Sequence, residues 1–166
     1  MHKKPWRLLA ISLLAGFLFA GCASQKFNVP ELVENSVLTD TGEPSHITVQ
    51  HVLIGFRGSV QGKDVRRTKI EAALLAKELL TRAESGENFG MLVKKYTDDS
   101  PPGIYHLANI GETSDMDRSR DAIDNVYPRN GMVPAFGDVG FPLEVGEVGM
   151  APYDRQNSPY GWHIIK

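Results

Sequence analysis

Ser158-Pro159-Tyr160-Gly161-Trp162-His163-Ile164-Ile165-Lys166 closes the sequence, and the placing of its histidine decides how the rest is read. Ser-Pro-Tyr-Gly is a loop signal, and it runs into the aromatic and β-branched stretch Trp-His-Ile-Ile, so an imidazole sits inside a predicted strand. A second strand, Ile47-Thr-Val-Gln-His51-Val-Leu-Ile54, repeats the anomaly. Side chains alternate along a strand, which puts His51 on the face of Ile47, Val49 and Leu53, the face expected to be buried. For either histidine alone, a core imidazole satisfied by backbone groups is the simpler account. Two of them, one near each end of the region from Ile47 to Lys166, call for a joint explanation.

Working inward, Thr68-Lys-Ile-Glu71 is a capping box and predicts a helix start. Ala72, Leu75, Ala76, Leu79, Leu80 and Ala83 then share one face, and Gly86 supplies the stop. A second helix is predicted from about Asn88, with Phe89, Leu92, Val93 and Tyr96 facing inward. Thr97-Asp98-Asp99-Ser100-Pro101-Pro102-Gly103 ends it in turn-formers. Residues 103–110 are read as a strand, 112–131 as a charged, loop-like insertion, and Met132-Val-Pro-Ala-Phe136 leads into a Gly-rich run and a further strand near Met150.

The His51 strand, Tyr96-Thr-Asp-Asp99, the spacing from Met132 to Phe136 and Gly161-Trp-His163-Ile-Ile together resemble the parvulin family of peptidyl-prolyl cis-trans isomerases. The resemblance covers about residues 47–166. It implies an α+β, FKBP-like fold: a four-stranded, mostly antiparallel sheet wrapped by helices, with the His51 and His163 strands adjacent in its middle. It implies His51, Asp99 and His163 as the polar, catalytic part of the site, and Met132 and Phe136 as an apolar slot for proline. The family's usual Gly-Asp-Leu-Gly signal is replaced here by Gly103-Ile-Tyr-His-Leu107, which leaves Ile104 or Leu107 as the apolar contributor to one wall, and Tyr160 is taken as a further substrate contact. His106 is expected to be structural. A basic loop holding Arg57, Lys63, Arg66 and Arg67 is expected to be solvated, without a phosphate-reading role.

The chemistry implied needs no cofactor and no metal. Rotation about an X-Pro bond crosses a barrier of about 18–20 kcal/mol set by amide resonance, and no bond is made or broken. The expected partners are proline-containing unfolded or extended polypeptides. A Ser100, His163 and Asp99 triad lacks any nucleophile elbow beside it, and the two histidines with Asp99 lack a metal-ligand spacing. The rival expectation is a weakly or non-catalytic holdase of the same fold that grips unfolded exported chains.

The 166 residues suffice for one domain with extras. Lys3, Lys4 and Arg7 precede an apolar run, Leu8 to Ala20, that suits a signal-peptide core better than a membrane span. Leu18-Phe19-Ala20-Gly21-Cys22 looks like a bacterial lipoprotein signal, and Cys22 is the sole cysteine. The expected organisation is therefore a signal peptide over 1–21, a lipidated Cys22 with a flexible tether to residue 45, and the isomerase-like domain over 46–166. Such a chain would be extracytoplasmic and anchored by lipid, on the periplasmic side of the outer membrane in a two-membrane cell. Beyond Cys22 the sequence holds 15 basic against 20 acidic residues, and nothing there points to nucleic acid.

Overall fold

The structure is a computed structural model that describes Thr39 and residues 42–166. The expected signal peptide, Cys22 and most of the expected tether lie outside the described residues. All the described residues belong to one compact unit, residues 34–166. The packed body begins slightly ahead of the expected boundary at residue 46. Glu43 accepts hydrogen bonds from Arg129 and Asn109, and Pro44 and Ser45 accept from Asn109 through their carbonyls.

The elements run β1 (His46–Ile54), α1 (Lys69–Glu84), α2 (Phe89–Tyr96), β2 (Ile104–Ala108), β3 (Val126–Pro128), α3 (Pro134–Gly140), β4 (Gly149–Ala151) and β5 (Trp162–Ile165). The sheet has five strands in the order β3-β2-β1-β5-β4, with β1 beside β5 at its centre. The β1–β2, β1–β5 and β4–β5 pairings are antiparallel, and β2–β3 is parallel. The expected four strands are thus corrected to five, and the extra one comes from the segment 112–131 expected to be loop. Val126-Tyr127-Pro128 is too short to show alternation, and its proline is admissible only because β3 lies at the edge of the sheet. Residues 109–125 are long enough for the crossover that a parallel pairing demands.

Each face of the sheet has its own cover. On one, Val52, Ile54 and Ile164 pack against Ala72, Ala76, Leu79 and Ala83 of α1 and Phe89, Leu92 and Val93 of α2. The small alanines let α1 lie close to the strands. Its start is the expected capping box: Thr68 Oγ1 accepts from the Glu71 amide at 3.2 Å and Glu71 Oε2 accepts from the Thr68 amide at 2.6 Å. Asn88 caps α2, accepting from the Met91 amide at 3.0 Å. On the other face Val49, Leu107, Phe136, Phe141, Ala151 and Ile165 form a second apolar cluster beneath α3. Burial of each large side chain there contributes about 1.5–3 kcal/mol.

Two glycines are needed to bring the site strands together. Gly161, with φ of 147°, precedes β5, and a Cβ there would lie 2.2 Å from the Ile54 carbonyl oxygen. Gly103, with φ of 64°, precedes β2, and a Cβ there would lie 2.7 Å from the His51 carbonyl oxygen. The Gly103 carbonyl in turn accepts from the His51 amide at 2.9 Å.

Candidate functional site

Strand register sets the site. Leu53 pairs with His163 and His51 with Ile165, so the two histidines share a face on a diagonal across the two central strands. Their Nδ1 atoms are 3.2 Å apart, with ring centroids at 5.3 Å and planes within 14° of parallel. Both rings are almost wholly buried. Phe136 of α3 stands edge-on to both, at 5.0 Å from His51 and 5.6 Å from His163.

Asp99 comes from the turn after α2, and that turn is strapped to β1. Thr97 Oγ1 accepts from the amides of Leu53 and Asp99, and the Asp98 amide donates to the Leu53 carbonyl at 2.8 Å. The Asp98 carboxylate accepts from the Gly55 amide and pairs with the Arg67 guanidinium. Arg67 of the basic loop is therefore committed to the turn, while Arg66 pairs with Asp64 at the surface. So held, Asp99 Oδ2 accepts from His51 Nε2 at 3.0 Å and from the Tyr105 hydroxyl at 2.9 Å.

The proton arrangement follows from these contacts. The hydrogen bond from His51, with further donors at the Ser100 amide and the Tyr105 hydroxyl, outweighs burial and holds the Asp99 carboxyl well below the usual carboxylate range. Burial, the Asp99 charge and the hydrogen bond to it push the Tyr105 phenol well above its ordinary value. Burial and the neighbouring His51 push the His163 imidazole down to about 3, so it is neutral at physiological pH. When His51 is neutral, its Nε2–H donates to Asp99 and its Nδ1 accepts from His163 Nδ1–H. His163 Nε2 is then a bare acceptor, and it is buried without a hydrogen-bond partner among the described residues.

Of the other residues singled out from the sequence, Leu107 is fully buried in the cluster under α3, and Met132 packs half-buried against the same cluster. Ile104 does not belong to this face. It pairs with Gln50 of β1, one residue out of phase with His51 and Val49, and is corrected to the opposite side of the sheet. Tyr160 is 46% exposed in the loop before β5 and shares no described ring contact or side-chain hydrogen bond with the site; its carbonyl accepts from Ser59 Oγ. His106 bonds Thr48 Oγ1 at 2.7 Å on the far face of the sheet. Among the described residues no group of three or more His, Cys, Asp or Glu is arranged to hold a metal.

The residue missed is Tyr105. It pairs with Val49, and its ring is edge-on to His51, Phe136 and Tyr127 at 5.3, 6.0 and 5.6 Å. A signal for it existed. Ile104 and Leu107 are an odd number of residues apart and cannot face the same side of one strand, so choosing Leu107 brings Tyr105 with it.

Comparison with known proteins bears on the family and the fold. The family profile described as the PPIC-type PPIase domain matches residues 35–166. A relative named Chaperone SurA from Pseudomonas fluorescens is 30% identical over 120 residues, which cover 72% of this chain and 22% of that protein. The chain thus spans under a quarter of that relative's length. The structure of a peptidyl-prolyl isomerase, ESS1 from Candida albicans, aligns with a TM-score of 0.53 at 23% identity, covering 78% of this chain and 64% of that one. The solution structure of TbPIN1 aligns at 0.52 and 18% identity, covering 74% and 96%. At these identities the two structures show a shared fold.

Proposed function

The chain belongs to the PPIC-type PPIase domain family, and from that premise we propose that it is a peptidyl-prolyl cis-trans isomerase acting on unfolded or extended exported polypeptides. The observation that carries this reading is a polar chain, Asp99–His51–His163, with both imidazoles buried, laid against the apolar group of Phe136, Met132 and Leu107. An amide that twists loses conjugation between its nitrogen and carbonyl. What lowers the barrier is a slot for the proline ring, exclusion of bulk water, and fixed dipoles matched to the twisted form. In this account a proline ring seats over Met132 with Phe136 behind it. Phe136 is only 1% exposed, so it backs the slot while Met132 meets the ring. Asp99, one-third exposed at its side chain, is the polar group that reaches the bound peptide, and the histidines behind it fix its position.

The second reading is a holdase of the same fold, favoured by the name Chaperone SurA carried by the curated relatives. A protease-coupled proline isomerisation assay on the full chain separates the two. Acceleration above the uncatalysed rate supports the isomerase. An unchanged rate together with binding of an unfolded polypeptide would leave the holdase. With the proposed lipidation of Cys22, either activity would lie outside the cytoplasm.

A further inference from the structure

We propose that Tyr105 serves the site twice: its ring is the wall against which a substrate proline closes, and its hydroxyl is the positioning donor that holds Asp99 in line with His51. The proposal rests on the isomerase reading for the first role and on geometry alone for the second.

Asp99 lies on a turn, where its carboxylate accepts from His51 of β1 and from the Ser100 amide of the same turn. The Tyr105 hydroxyl adds a tie to a second strand. It donates to the oxygen that His51 already contacts, at 2.9 Å against 3.0 Å, and it does so from β2, so that two strands grip one oxygen. The phenol itself is held by aromatic edges: His51 on β1, Phe136 on α3 and Tyr127 on β3. A half-buried ring fixed on three sides, touching Phe136 at one end and Asp99 at the other, spans from the apolar slot to the carboxylate. Neither Leu107, which is fully buried, nor Ile104, on the other face, can form that wall.

The titratable groups around the carboxylate are His51 on β1, His163 behind it on β5, Tyr105 on β2 and Tyr127 beyond it on β3. Within the turn itself stands Asp98, paired with Arg67. Loss of the hydroxyl leaves all of these in place. Its effect is therefore read at Asp99.

The test uses the full chain in mild detergent, a proline-containing peptide, and the variants Tyr105→Phe and Tyr105→Ala. Tyr105→Phe keeps the wall and removes the donor. Peptide affinity should stay within about twofold while kcat falls about tenfold, the scale expected for one charge-assisted hydrogen bond. The Asp99 carboxyl, followed by carbon-13 NMR, should titrate at a higher pH than in the parent. Tyr105→Ala should in addition weaken peptide binding by about tenfold, as a lost aromatic contact would. An unshifted Asp99 titration in Tyr105→Phe overturns the positioning role, and parental peptide affinity in Tyr105→Ala overturns the wall. A parent chain without isomerase activity would sink the isomerase reading instead, and the NMR titration and the affinities would still decide Tyr105.

Discussion

His163 makes the chain's stability fall with acid in a way that can be calculated. A buried neutral imidazole with its pKa lowered from 6.5 to about 3 binds no proton in the folded state across the range where the unfolded chain binds one. Stability therefore rises with pH between those two values and is lost on acidification, with a limiting slope of about 1.4 kcal/mol per pH unit. Between pH 7 and pH 5 the loss from this one group is about 2 kcal/mol. Asp99 does not contribute in that window. Its folded value is depressed, so its share of stability is intact above the unfolded value of about 3.9 and goes only as pH falls further. The assay is denaturant unfolding of the full chain at pH 7 and pH 5, beside His163→Gln, which subtracts the histidines the two proteins share. The parent should lose about 2 kcal/mol more than the variant over that interval. Equal losses, or an NMR titration of the His163 ring near 6.5, would refute the burial argument.

Phe136→Ala should cost about 3–5 kcal/mol of stability through the cavity left under both histidines; at a temperature where the variant stays folded, peptide affinity and turnover should fall together. Asp99→Ala should reduce kcat by about tenfold or more with a smaller effect on peptide affinity, since its contribution is made to the twisted amide. Full turnover in that variant, with unfolded chains still bound, would favour the holdase. Cys22→Ser should move the protein out of the membrane fraction or block its processing, and a variant processed and retained like the parent would remove the lipoprotein assignment.

What the sequence disclosed was local, and what it concealed was long-range. Alternation about His51 was enough to give its face, and the Thr68–Glu71 box was enough to start α1, because each signal sits within a few residues. β3 was invisible because three residues ending in proline carry no period, and its strand identity comes only from β2 beside it. Arg67 read as a solvated cation because nothing nearby in sequence announces its partner Asp98. Likewise Glu43 falls within the expected tether, although Arg129, far along the chain, holds it at 2.6 Å. The same guanidinium reaches Asp138 on α3, so the segment read as an insertion stitches the chain just ahead of β1 to the helix that carries Phe136. Tyr105 is concealed differently: the resemblance points to an aliphatic contributor at that wall, whereas strand phase favours the tyrosine.

The direction of the pKa shifts bears on which chemistry this cluster can perform. A general acid or base works best with a pKa near the operating pH, and a nucleophilic carboxylate needs an accessible lone pair. Here Asp99 is driven far below neutrality by donors on its Oδ2, Tyr105 is driven far above it, and His163 is held neutral by burial. Each of the three is pushed away from the range in which it would exchange a proton. An arrangement of this kind is ill-suited to hydrolysis, where His163 would have to take a proton from a serine, and its buried ring has no serine hydroxyl among its described hydrogen bonds. It suits a reaction in which no proton moves. On the proposed isomerase reading, the protein supplies dipoles that do not reorganise as the amide turns, and a carboxylate that stays charged throughout.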